Sequence, residues 1–149
     1  MFEHIDIDKS VDKSVDKSVD KSVDKSEWSF GPWMDEPDRL QWSQQEFVFI
    51  ILRSAYGHLC GYIRVPKGHP WDGVNYNHIS GVHVHGGLTF SERDSNGYWW
   101  VGFDCAHAGD YSPGMTWETV KPDRYKSITY VKAELDKLLF ATIRQEKEE

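Results

Sequence analysis

The segment Glu46–Arg53 constrains the fold more than any other part of the sequence. It reads E-F-V-F-I-I-L-R and is apolar at every position between its two charged ends. β-Branched and aromatic residues favour a strand. Because alternate residues of a strand face opposite sides of a sheet, a strand that is apolar throughout has to be covered on both sides. The segment therefore predicts a central strand of a layered domain.

Three further segments are predicted as strands, and one as a helix. The strands are Leu59–Val65, Val82–Phe90 and Tyr98–Asp104, and an Asn-Gly turn joins the last two into an antiparallel hairpin. From Ser127 to about Glu146, apolar residues recur at three- and four-residue steps, which predicts an amphipathic helix with Ser127 as its N-cap. We therefore expect an α+β fold, in which one C-terminal helix packs on a mainly antiparallel sheet of four strands.

The N-terminal region has a different character. From Asp8 to Ser26 the unit D-K-S-V repeats, and one Val in every four residues is too thin an apolar stripe to fold alone. Residues 1–26 are predicted to be a low-complexity arm, and residues 27–149 a single domain. The aromatic and proline-rich segment Glu27–Trp42 is predicted to be extended, because its prolines and the residues before them resist a helix.

The overall charge and cysteine content exclude several classes of protein. The net charge of −7 argues against a partner such as duplex nucleic acid, which is bound through its phosphates. No apolar run approaches the ~18 residues of a membrane span, and no basic-then-apolar leader begins the chain. Cys60 and Cys105 form neither a C-x-x-C pair nor a disulfide framework. A cytoplasmic protein with reduced thiols is expected.

Candidate catalytic residues concentrate where the last predicted strand ends. Asp104, Cys105, His107 and Asp110 fall within seven residues of one glycine-containing turn. His85 lies on the neighbouring predicted strand, so the hairpin is expected to bring it opposite this turn. The predicted catalytic residues are His85, Asp104, His107 and Asp110.

Several long motifs give the chain a resemblance to a known group of proteins. They include L-C-G-Y-I-R-V-P-K-G-H-P from Leu59, V-H-G-G-L-T-F from Val84 and W-W-V-G-F-D-C-A-H-A-G-D from Trp99. With these motifs, the chain resembles a family of small, mostly uncharacterised bacteriophage and prophage proteins. The resemblance implies a phage setting, with the host cytoplasm as the place of action. It implies no activity and no residue roles.

A metal site is one hypothesis for the histidines. His83 and His85 are two residues apart and would share one face of a strand, while Cys105 and His107 repeat this spacing beside Asp104. Zinc accepts all of these ligand types. Since H-x-H also occurs by chance on exposed strands, the sequence favours no metal, and zinc stays as the alternative cofactor.

Metal-free hydrolysis is a second hypothesis. Cys105 would act as a nucleophile with His85 or His107 as its base, or the two histidines would exchange acid and base roles on a phosphodiester. A cysteine at the end of an aromatic strand is more often a small buried residue, so the sequence favours a structural role for Cys105.

Binding of a small polar or nucleotide-like ligand is the function that the sequence favours. The phage resemblance suggests a host immune signal that the protein sequesters, an anti-defence role. Glycines would let the ligand approach the backbone, aromatic rings would stack on it, and cationic groups would meet phosphate oxygens. The predicted ligand-binding residues are Gly86, Gly87, Trp71, Tyr76, Trp100, Tyr111, Arg64 and Lys67. Docking to a host enzyme as an inhibitor is a further hypothesis. The sequence also leaves open a homo-oligomer, in which a second copy of the chain is the partner.

Overall fold

Five strands and one long helix form the part of the chain described by the computed structural model, residues 23–115 and 120–148. The strands are β1 (Arg39–Gln44), β2 (Phe47–Arg53), β3 (Leu59–Val65), β4 (Phe90–Arg93) and β5 (Trp99–Asp104), and the helix is α1 (Ile128–Glu148). Short 3-10 turns lie at Pro32–Met34, Tyr76–His78 and Pro122–Arg124. Most of the predicted N-terminal arm, residues 1–22, lies outside the described residues.

The strands form one antiparallel sheet in the order β1-β2-β3-β5-β4. The α+β class with a C-terminal helix is confirmed. β4 and β5 form an antiparallel hairpin, but its first strand is Phe90–Arg93 rather than the predicted Val82–Phe90. The sheet has five strands rather than the predicted four. The additional strand is β1, where only Leu40 and Trp42 are apolar, so its alternation was too weak for a strand prediction.

Residues 82–89 are not a strand, so the prediction of Val82–Phe90 is wrong except at its last residue, where β4 begins. Gly81, Gly86 and Gly87 have φ values of 77°, 68° and 80°, which lie in the left-handed region that extended strands do not enter. The segment is instead an irregular connection that turns at His85 and Gly86.

The central strand β2 is covered on both faces, as its sequence predicts. Phe47, Phe49 and Ile51 belong to the larger hydrophobic cluster, which also contains Val131, Leu135 and Leu138 of α1. On the opposite face of the sheet, a smaller buried cluster contains Val48, Ile50, Tyr62 and Trp100.

The helix follows its predicted apolar pattern. Val131, Leu135, Leu138 and Leu139 are buried, and the Ser127 hydroxyl accepts a hydrogen bond from the backbone N–H of Tyr130, which confirms the N-cap. Within residues 23–115 and 120–148, none of the helices is both long enough and apolar enough to cross a membrane.

A buried ion-pair network ties the end of the repeat and the extended segment to the sheet. Arg53 Nε donates to Asp38 Oδ1 at 2.7 Å, and Lys25 Nζ lies 2.9 Å from the same oxygen. Arg53 also contacts Glu36 and the Tyr125 hydroxyl. Burial acts to raise the pKa of Asp38, but hydrogen bonds from Lys25, the Val23 N–H and Arg53 outweigh it and hold that pKa below its usual value.

The lowered pKa of Asp38 predicts a loss of stability in acid. Because the folded-state pKa lies below the unfolded value of about 3.9, the unfolded state binds more protons in this range. The contribution of Asp38 is therefore complete above about pH 5 and is lost as the pH falls through 4 and towards the folded-state pKa. Urea unfolding from pH 7 to pH 3 should show a shallower acid decline for Asp38→Asn than for the wild type. An equally steep decline would assign the acid sensitivity to other carboxylates.

Candidate functional site

The four predicted catalytic residues meet at one end of the sheet. β5 ends at Asp104, the following turn carries His107 and Asp110, and the irregular connection before β4 brings in His85. His85 Nε2 lies 2.8 Å from Asp110 Oδ2, and the ring centroids of His85 and His107 are 5.7 Å apart. We call His85, Asp104, His107 and Asp110 the His/Asp cluster.

The turn that carries the cluster is held by its own polar groups. Asp104 Oδ1 accepts a hydrogen bond from the Ala106 N–H, and Asp110 Oδ2 accepts one from the His107 N–H at 3.1 Å. The Asp110 N–H in turn donates to the His107 carbonyl. Side chains of Asp commonly make such local bonds in turns, so the sequence D-C-A-H-A-G-D shapes its own loop.

His85 is bound through both ring nitrogens. Nε2 lies within hydrogen-bond distance of both Asp110 oxygens, and Nδ1 lies 2.9 Å from the Tyr130 hydroxyl. The backbone N–H of His85 donates to Glu134 Oε1 at 2.7 Å. The first turns of α1 therefore fix the position of this imidazole, and Asp110, His85 and Tyr130 form a continuous hydrogen-bonded chain.

Asp110 is the most enclosed member of the cluster, with only 3% of its side chain exposed. Burial acts to raise its pKa, but hydrogen bonds from His85, the His107 N–H and Lys126 hold the pKa below its usual value. Lys126 Nζ lies 3.1 Å from Asp110 Oδ1. Asp110 is therefore a carboxylate at neutral pH, able to orient an imidazole and to balance its charge.

His107 has the more accessible ring. Its side chain is 34% exposed, and its Nδ1 lies 3.6 Å from both Asp104 Oδ1 and Asp110 Oδ2. Among the described residues, this Nδ1 is one of two buried side-chain polar atoms without a hydrogen-bond partner. The ring packs on Gly86, where a Cβ atom would lie 2.1 Å from the nearest ring carbon, so the glycine permits this approach.

Both cysteines lie in unreactive surroundings. Burial raises the pKa of the Cys60 thiol to about 12 and raises that of Cys105 as well. Cys105 is 1% exposed and belongs to the larger hydrophobic cluster. Since the thiolate is the nucleophilic form, this placement argues against Cys105 as a nucleophile. His83 is exposed on the irregular connection, so it does not share a strand face with His85.

Gly86 contacts the His/Asp cluster, but most of the other predicted ligand-binding residues lie elsewhere. Trp71 and Trp100 are buried in the two hydrophobic clusters, and the Tyr111 ring packs against Trp33 at a centroid distance of 5.3 Å. Gly86 contacts His107, whereas a Cβ atom at Gly87 would meet no described atom within 4 Å. Tyr76 begins a 3-10 turn and donates its N–H to Ser91.

Arg64 and Lys67 lie towards the opposite end of the sheet. Arg64 pairs with Trp100 in the β3–β5 register, four residues from the pair formed by Cys60 and Asp104, which is about 13 Å along the strand. The Arg64 guanidinium lies 3.8 Å, and Lys67 Nζ 4.8 Å, from the centroid of the Tyr98 ring. These side chains line a cavity of about 380 Å³ together with Glu46 and Pro66.

Tyr130, Glu134 and Lys126 contact the cluster and were absent from the sequence-based site. A signal for Glu134 exists, because it lies three residues after Val131 and four before Leu138 and so falls on the apolar stripe of the helix. Glu134 is only 4% exposed at this position, and a buried carboxylate needs a hydrogen-bond or ion-pair partner. Tyr130 lies one turn before it on the same side.

Comparison of the chain with known protein families, with characterised proteins and with solved structures finds no significant match. The resemblance to phage proteins therefore stays an expectation from the sequence, and the chemistry of the cluster has to be argued from its geometry.

Proposed function

We propose that the protein is a hydrolase that acts on a small polar substrate of the phosphodiester type at the His/Asp cluster. The observation that carries this proposal is the hydrogen-bonded chain from Asp110 through His85 to Tyr130, with the imidazole of His107 beside it. Two imidazoles, one backed by a buried carboxylate, are the groups that acid–base catalysis requires near neutral pH.

The roles follow from the contacts of each group. His107, the more exposed imidazole, accepts a proton from a water molecule as the water oxygen forms its bond to phosphorus. When His85 is protonated, its Nε2 donates to Asp110 and its Nδ1 to the Tyr130 oxygen, which leaves the Tyr130 hydroxyl proton for the departing oxygen. As the phosphorus–oxygen bond breaks, Tyr130 passes its proton to the leaving group and takes the Nδ1 proton of His85.

The Tyr130 hydroxyl carries a proton at neutral pH, and its release depends on replacement by the Nδ1 proton of His85. Burial, followed by the charge of Glu134, raises the pKa of its hydroxyl, so the group keeps its proton at neutral pH. Asp110 stabilises the positive charge of His85, as a carboxylate does in a catalytic triad. The nucleotide nature of the substrate is proposed from the phage resemblance, and the cytoplasm of the host is the proposed place of action.

Turnover by the full-length protein tests the proposal. We expect release of nitrophenolate from bis(p-nitrophenyl) phosphate, or cleavage of one member of a panel of cyclic di- and trinucleotides. Tyr130→Phe removes the proposed donor and is expected to reduce turnover by about 10²-fold or more. Tyr56→Phe, at an exposed tyrosine, is the matched control and should retain wild-type turnover. Equal rates for the two variants would remove Tyr130 from the mechanism.

Ligand capture without turnover is the second candidate function. It is favoured by the cavity that Arg64, Lys67 and Tyr98 line at the opposite end of the sheet. Arg64 and Lys67 flank Tyr98 there, and the buried Arg64 Nε has no hydrogen-bond partner among the described residues. The same incubation separates the two functions. A nucleotide that is returned intact after denaturation, and whose capture Arg64→Met weakens, supports sequestration at this cavity. Product formation supports the hydrolase.

A further inference from the structure

We propose that His85, His107 and Asp110 bind one divalent first-row transition metal ion, with zinc as the expected ion. One ligand atom from each residue lies within 4.8 Å of the other two. The inference rests on the proposed function and concerns the metal-bound form of the same cluster, in which an ion instead of a proton would lie between His85 Nε2 and Asp110. It differs from the metal site considered from the sequence, since Asp110 replaces Cys105 and His83 takes no part.

The spacing of the ligand atoms fits a metal site. Zinc bonds of about 2.0–2.1 Å in a tetrahedron place neighbouring ligand atoms about 3.3 Å apart. Asp110 Oδ2 lies 2.8 Å from His85 Nε2 and 3.6 Å from His107 Nδ1. The first distance is therefore shorter, and the second longer, than the separation expected in a tetrahedral site. No two of the three ligand atoms are more than 4.8 Å apart, so side-chain shifts of at most about 1–1.5 Å bring each pair to the tetrahedral separation.

The unpartnered nitrogen of His107 is the second observation that points to a ligand. Its Nδ1 is buried and has no hydrogen-bond partner in the described part of the chain, although both Asp104 and Asp110 lie at 3.6 Å. Buried polar atoms are nearly always paired. A metal ion bound between this nitrogen and Asp110 would satisfy it.

The surroundings of the three residues are those that metal ligands have. A metal-bound histidine commonly donates its other N–H to an oxygen, and His85 Nδ1 has the Tyr130 hydroxyl at 2.9 Å. Lys126 contacts Asp110 Oδ1, so Oδ2 is the oxygen available to the metal. The side chains of His85 and His107 are 16% and 34% exposed, which leaves a fourth position for water.

The charge of the cluster also favours a cation. Asp104 and Asp110 contribute two negative charges, and Lys126 contributes one positive charge at hydrogen-bond distance. With neutral imidazoles, this arrangement repels a phosphodiester, and a dication would reverse that repulsion. A zinc ion would also lower the pKa of a bound water to about 7, which supplies hydroxide at neutral pH.

Zinc binding by the untagged, full-length protein tests the inference. The protein is dialysed against a chelator, titrated with Zn²⁺ by calorimetry, and analysed for bound metal by mass spectrometry after desalting. We expect one ion per chain. His107→Ala and Asp110→Asn should each weaken binding about 100-fold or more, and Tyr130→Phe about 10- to 100-fold. The control His83→Ala removes an exposed histidine two residues from a ligand and should bind as the wild type does.

The outcomes decide the inference separately from the hydrolase proposal. Absence of stoichiometric zinc in the wild type overturns the metal site, and so does an equal loss of binding in His83→Ala and His107→Ala. His107→Gln keeps a polar side chain of similar length, so loss of zinc in this variant with an unchanged unfolding midpoint supports direct ligation. Bound zinc without turnover would retain the metal site and reject the hydrolase. Turnover that persists after chelation would retain the hydrolase and remove zinc as its cofactor, while the zinc titration alone decides whether the metal site exists.

Discussion

Replacing Arg53 with Met is expected to destabilise the protein by roughly 3–5 kcal/mol, because the buried Asp38 carboxylate loses its guanidinium partner and keeps Lys25 as its one cationic partner among the described residues. The Arg53 side chain is fully buried, and Asp38, its closest carboxylate, is 2% exposed. The guanidinium also donates to the carbonyl of Gly57 and to the Tyr125 hydroxyl. These contacts connect the end of β2 with the segment before β1, with the turn between β2 and β3 and with the segment before α1. The free energy of unfolding in urea measures the loss.

Arg93→Met is the matched control for this prediction. Arg93 donates to Asp72 at 2.9 Å and to the Gly97 carbonyl, but its side chain is 44% exposed. Exposed pairs of this kind contribute about 0–1 kcal/mol. A similar loss of unfolding free energy in Arg53→Met and Arg93→Met would contradict the prediction that burial makes the Arg53 pair the stronger one. The double variant Arg53→Met with Asp38→Leu should recover part of the stability, since it removes the two most deeply buried charges of the network and leaves Lys25, which is 10% exposed.

Replacing Asp110 with Asn is expected to lower turnover by about 10²–10⁴-fold. An amide cannot balance the charge of a protonated His85. Because its NH₂ group donates where the carboxylate accepts, it also disturbs the bonds from His85 Nε2 and the His107 N–H. We expect the rate at saturating substrate to fall more than the apparent affinity, since Asp110 acts through His85 rather than on the substrate.

Asp72→Asn is the control for this change, because Asp72 is a partly exposed carboxylate that pairs with Arg93. It should retain wild-type turnover. Circular dichroism and the urea midpoint show whether Asp110→Asn remains folded. A folded Asp110→Asn variant with wild-type turnover would remove the Asp110–His85–Tyr130 chain from catalysis, whatever its effect on zinc binding.

The spacing of apolar residues predicts secondary structure correctly where that structure depends on residues close together in the chain. The continuous apolar run of β2 predicted coverage on both faces, and the apolar steps after Ser127 predicted α1 with its N-cap. The connection containing His85 was misread because V-H-V-H alternates as a strand does. Three glycines with positive φ divert the backbone there, and alternation contains no information about that geometry.

In the candidate site, too, the sequence predicts the local features and misses the long-range contacts. Asp104, His107 and Asp110 are close in sequence, and the polar side chains of that turn shape it locally. Trp100 is a predicted stacking ring for a ligand, yet it is buried in the smaller hydrophobic cluster. Tyr130 was missed because its contact with His85 spans 45 residues, and no local pattern reports such a contact.

The α+β class, the central strand, the terminal helix and the concentration of His and Asp residues in one turn all follow from the amino-acid sequence. These features depend on the period of apolar residues and on short-range side-chain bonds. Three features of the site emerge only from the folded chain. His85 lies against Asp110, α1 places Tyr130 and Glu134 beside His85, and Arg64 and Lys67 lie towards the other end of the sheet. The reason is that strand order and the path of the glycine-containing connection set these distances, and both depend on packing between segments far apart in the chain.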